Sequence, residues 1–184
     1  MPPVNPSDAL LSAPLADLAV LLLKQFKRLL AERGLALTTA QMDELGRAAA
    51  ARAPLPDFAH ALLDLLGQLI AESEAYLRAR FGWTFAESLA HDMSAVQGWE
   101  TTGEFLEIAN NKSNHELRIS AASSLLALLG DERGRANLWA VLDAEGEVQD
   151  VDGAFARRAL CHLDGLDPLS ADWRTLVRRQ PEDG

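Results

Sequence analysis

The chain has 184 residues, 48% of them hydrophobic, which suffices for one domain with a substantial core. A formal charge of −10 argues against a nucleic-acid-binding surface, which needs a basic stripe. A single cysteine, Cys161, excludes an internal disulfide, and its setting in an apolar run marks a buried structural thiol. Leu and Ala dominate, aromatic residues make up 6%, and alternating β-branched runs are absent, so the expectation is an all-α chain.

Taken in order, residues 1–13 read as a flexible Pro-rich arm without Lys or Arg. This start lacks the charged beginning of a secretory signal, and Lys24 and Lys27 interrupt the apolar run after Leu18 well before a membrane span is complete. The expectation is a cytoplasmic chain that does not engage a membrane. Leu15, Leu18, Leu22, Phe26, Leu29 and Leu30 recur at helical spacing and predict an amphipathic helix from Pro14 to Arg33. A second helix begins after Thr38 or Thr39, whose hydroxyl can cap it, and stops before Pro54. A third, from Pro56 to Arg80, carries a broad stripe through Phe58, Leu62, Leu66, Leu69, Ile70, Ser73 and Leu77.

Gly82-Trp83-Thr84 breaks the pattern, and Thr84 with Glu87 forms a capping box for a fourth helix reaching Val96. Gly98-Trp99 repeats the break, with Thr101 or Thr102 capping a fifth helix through Phe105, Leu106, Ile108 and Ala109. Both tryptophans sit at helix entrances, where an indole plugs the gap between helix ends. Residues 110–114, all polar, read as a loop joining a bundle-like part (14–98) to a repeat-like part (99–179). A last helix begins at Ser170 and passes Trp173, Leu176 and Val177, and residues 180–184 form a tail.

The repeat-like part rests on register. Laying Ala121 on Phe155 gives an offset of 34 residues and aligns Ala122, Leu125, Leu126 and Leu129 with Ala156, Ala159, Leu160 and Leu163. Gly130-Asp131 supplies a turn after the first copy, whereas Asp164-Gly165 reverses that pair after the second. From Asn114 to Val177 the pattern resembles a HEAT-type helical repeat. That resemblance implies stacked helix pairs and a protein-interaction surface, with the preceding helices covering the other side of a stack only two copies long.

Three groups of residues have the composition of reactive or ligand-binding sites. His60 followed by His91-Asp92 resembles the opening of an HD-domain phosphohydrolase motif, which implies a divalent transition metal activating water against a phosphate ester. The pair is followed by Met93-Ser94-Ala95 rather than Gly-Lys, and Asp131, Asp150 and Asp152 are equivalent choices for the later ligand. His115-Glu116 is similar to the helix-start pairs of helical-repeat iron hydroxylases, but His162 is followed by Leu163, so the second pair is missing and Glu116 reads as a helix-start acid. The acidic stretch from Asp143 to Asp152 lacks EF-hand spacing and reads as a solvated turn.

The expectation is therefore a single all-α domain in which a helical bundle packs against a short HEAT-like segment. It would act without catalysis or cofactor as a protein-interaction or assembly module. Trp139, Arg157 and Arg158 are the expected binding residues on the repeat face, and the partner is another protein or a second copy of the chain. The alternatives are the metal-dependent phosphohydrolase using His60, His91 and Asp92, and a nucleic-acid-binding helical repeat. The latter would need Arg133, Arg135, Arg157, Arg158, Arg174, Arg178 and Arg179 gathered into one basic groove.

Overall fold

The computed structural model describes residues 6–91, 103–145 and 150–180, and all the regular structure among them is helical. The order is α1 (Pro6–Ser12), α2 (Leu15–Glu32), α3 (Thr39–Ala51), α4 (Ala59–Phe81), α5 (Phe85–Ala90), α6 (Gly103–Leu128), a 3-10 turn (Glu132–Gly134), α7 (Arg135–Glu145), α8 (Val151–Asp164) and α9 (Trp173–Leu176). The all-α expectation holds, and the helix punctuation in the sequence does what its chemistry predicts. The Thr38 hydroxyl accepts from the Gln41 amide at 3.1 Å while the Gln41 side chain accepts from the Thr38 amide, and Thr84 and Glu87 form the same reciprocal pair at the start of α5. Gly82, Gly130 and Gly165 end α4, α6 and α8 in the left-handed conformation that a Cβ disfavours.

α6 is the axis of the molecule. It packs on α2 and α4 on one side and on α5, α7 and α8 on the other. One hydrophobic cluster runs from Leu18 in α2 through Leu66 in α4 and Leu125 in α6 to Leu160 in α8 and Val177 beyond α9, crossing the expected border between bundle and repeat. No single helix among the described residues is long and apolar enough to cross a membrane. α1 and α2 together pass that test of length and composition, but they meet at 116° and α2 buries Leu18, Leu22, Leu23, Phe26 and Leu30 in the core.

Three expectations are corrected. Residues 6–12 are not a loose arm: they form α1, which lays Leu11 and Ser7 against α8, and Arg158 donates a hydrogen bond to the Leu11 carbonyl. Apolar burial and that bond offset the ordering entropy that disfavours a short terminal helix. Residues 110–114 are not a loop but the middle of α6, because Lys112 turns its ammonium inward onto polar partners instead of leaving for water. His115-Glu116 accordingly lies mid-helix rather than at a helix start, and the helix expected to stop near Ala109 continues to Leu128. Trp99 and the expected caps Thr101 and Thr102 lie outside the described residues.

Candidate functional site

The residues expected to bind on the repeat face are largely spent on internal contacts. Trp139 is 4% exposed, and its indole N–H donates to the Arg178 carbonyl at 2.9 Å. Arg179 lies over its ring at 4.2 Å, and Trp173 stacks parallel to it with centroids 6.5 Å apart. One edge of Trp139 does border a 450 Å³ groove lined by Ala86, Ala136 and Ala140. Arg157 and Arg158 were expected on the outer side of their helix, but both are half-buried: Arg157 lies 4.8 Å above the Trp173 ring and Arg158 holds α1. Burial lowers the pKa of both.

The other arginines of the C-terminal half are paired as well. Arg135 is fully enclosed, donating to Glu132 at 2.5 Å, to Asp164 at 2.7 Å and to the Arg178 carbonyl. Arg133 bonds Asp131, Arg178 bonds Asp164, and Arg174 and Arg179 both bond Asp143. Six of the seven arginines thus bond acids or carbonyls of the chain itself, and Arg157, Arg174 and Arg179 lie against the Trp139 and Trp173 rings.

The metal alternative is dispersed. His60 is exposed in the first turn of α4, whereas His91 is exposed after α5, stacked on Trp83 at 4.4 Å with Nδ1 donating to the Glu87 carbonyl. Trp83 follows the far end of α4, a helix of 23 residues and so about 35 Å long, which puts His60 and His91 near its opposite ends. Asp92 lies outside the described residues, and among the described residues no group of three His, Cys, Asp or Glu side chains is placed to hold a metal.

Two clusters whose packing pattern reading did not foresee lie beside α6. In the first, the buried Lys112 ammonium donates to the Ser88 carbonyl at 2.9 Å and to the Glu116 carboxylate, which also accepts from the Ser88 hydroxyl at 3.0 Å. Ser88 is fully enclosed, and the set fastens α5 onto α6. The spacing of Lys112 and Glu116, four residues apart, was the available signal. In the second, Glu145 at the end of α7 meets Asp150 and Asp152 at the start of α8. Burial, then the neighbouring Asp150, pushes the Glu145 carboxyl up to about 8. Hydrogen bonding from Glu145 and from the Gly153 amide, which donates to Asp150 Oδ1 at 3.1 Å, holds Asp150 below its ordinary value. Burial raises Asp152. Of the expected solvated turn, Asp143 and Asp150 are exposed, Glu145 and Asp152 are half-buried, and residues 146–149 lie outside the described residues.

This cluster lines one of two grooves that flank the exposed side of α6. The acidic groove, about 420 Å³, is bounded by Glu116, Glu145, Asp150 and Asp152 with Leu89 and Val141. The other, about 550 Å³, lies between α2 and α6, with Phe26, Leu29 and Ala121 as its apolar part and Gln25, Arg28, Glu32 and Arg118 at its rim. Leu117 borders both grooves and is 50% exposed. Leu106 on the same stripe of α6, Leu21 on α2 and Val151 on α8 are further large apolar side chains left in solvent. An apolar strip with acid on one side and a slight excess of base on the other has the composition of a surface that docks another macromolecule.

No family model, no curated protein and no solved structure matches the chain. The fold and surface place it in the class of all-α helical-bundle proteins, and its function has to be read from its own residues.

Proposed function

We propose that the protein is a non-catalytic helical interaction or assembly module that binds a protein partner through the face where α2, α6 and the α7–α8 junction meet. The observation that carries this reading is Leu117, half exposed between two grooves of opposite charge character and in line with the exposed Leu106. Burial of these side chains against a partner contributes roughly 25 cal/mol per Å² of apolar surface. The HEAT-like reading of the C-terminal part has support of the same kind. Ala122, Leu125 and Leu126 and their matches Ala156, Ala159 and Leu160 are all fully buried where α6 and α8 pack together, and both helices end at a positive-φ glycine.

The test is a photo-crosslinking amino acid at position 117 in cells of the native host, with position 169 as control, since Leu169 is also exposed, between α8 and α9. A discrete protein adduct at 117 and none at 169 is the expected result. No adduct at either position, or the same adducts at both, overturns the proposal.

A further inference from the structure

We infer that the occupant of this face is a second copy of the chain, related by a two-fold axis parallel to α6; the inference rests on the interaction reading above. The first observation is the stripe itself. Leu106, Asn110, Ser113 and Leu117 are all exposed and follow one another at intervals of four, three and four, the alternation that keeps one seam of a helix facing another helix. The stripe carries no charge in a chain whose net charge is −10, so two copies can approach here without placing like charges in contact.

The second observation is the charge to either side. Arg118 and Arg28, the latter ion-paired with Glu32 at 3.1 Å, give the α2 side of Leu117 a net positive charge of one, and Asp150 and Asp152 stand on the α7–α8 side. A two-fold axis along α6 carries the left flank of one copy onto the right flank of the other. Each basic flank then faces the acidic flank of the second copy, twice per dimer. An axis across α6 would instead set acid against acid. The parallel arrangement also places each seam residue opposite its own counterpart, so Asn110 meets Asn110; such a pair lowers stability but selects two strands in one register.

The experiment combines mass, charge and crosslinking on the full chain. Sedimentation equilibrium should give a mass rising with concentration from 20.0 kDa toward twice that value. Leu117→Arg should hold the protein at monomer mass with an unchanged helical melting curve, because Leu117 already faces solvent. Arg28→Glu should weaken dimerisation roughly tenfold, and the loss should shrink as salt is raised. Leu106→Cys and Leu117→Cys, made separately, should each form a disulfide-linked dimer on mild oxidation, since the native Cys161 is buried and does not compete.

A monomer mass at every concentration overturns the inference, as does a dimer that crosslinks at only one of the two positions. If the protein stays monomeric while the adduct at position 117 is a different protein, the two-fold pairing fails and the interaction reading stands. If no adduct forms either, both fail.

Discussion

Arg135 is the largest side chain that the fold encloses completely. Its guanidinium ties the 3-10 turn through Glu132, α8 through Asp164 and the C-terminal segment through the Arg178 carbonyl. Removing one member of such a buried set leaves uncompensated charge, which costs about 3–5 kcal/mol. We expect Arg135→Ala to lower the unfolding free energy from urea titration by that order and to expose Trp139 and Trp173, read as a red shift in fluorescence. An unfolding free energy within about 1 kcal/mol of the parent would show that the set contributes little.

Two further residues contribute to the pH dependence. Burial, with Arg52 and Arg158 nearby, pushes His162 down to about 4 from an ordinary 6.5. Between those values the unfolded chain takes up a proton that the folded chain refuses, so this part of the stability is complete above about pH 6.5 and is lost as pH falls toward 4. Glu145 works in the opposite sense. Its folded value of about 8 lies above the ordinary 4.5, so the folded chain keeps a proton that the unfolded chain has released, and stability declines as pH rises through that window. Urea midpoints measured across pH should show both limbs. His162→Gln should flatten the acid limb and Glu145→Gln the neutral-to-alkaline one; limbs unaltered by these changes would assign them to other groups.

At the scale of elements, the close approach of the 3-10 turn to α6 depends on a missing side chain. A Cβ on Gly134 would lie 2.7 Å from the Ser123 Cα and carbonyl oxygen, backbone atoms that cannot rotate away. We expect Gly134→Ala to destabilise by about 1–3 kcal/mol, the range for overpacking, and to shift backbone amide signals in both the turn and α6. No shift at Ser123 would mean that the turn moves off as a unit. The same scale explains how element reading succeeded and failed. Thr38, Thr84 and the terminal glycines announce helix ends through local hydrogen bonds, so α3 and α5 began where their caps indicated, whereas α4, which has no side-chain cap, begins at Ala59 rather than at Pro56. Residues 110–114 misled because polarity was taken for exposure; Lys112 is buried against α5, a contact 24 residues away that no local pattern records.

At the scale of the whole molecule, α6 belongs to both halves, and a single apolar cluster connects them. Unfolding should therefore be one cooperative event. Far-UV circular dichroism, which reports all helices, and tryptophan fluorescence, in which Trp139 and Trp173 report the C-terminal packing, should give coincident transitions. Separated midpoints would show that the bundle and the repeat-like part fold independently.

The sequence by itself determined the all-α class, the amphipathic faces of α2 and α4, and the capped starts of α3 and α5. Each of these depends on side-chain spacing or on hydrogen bonds within a few residues. Only the tertiary structure decided that α1 docks on α8, that α6 runs unbroken from Gly103 to Leu128, and that Trp139 and the arginines around it are spent on internal contacts. It also decided that Leu117 lies between an acidic groove and one with a slight excess of base. These features join groups 24 to 147 positions apart, and burial and Coulomb energy depend on distance in space rather than on separation along the chain.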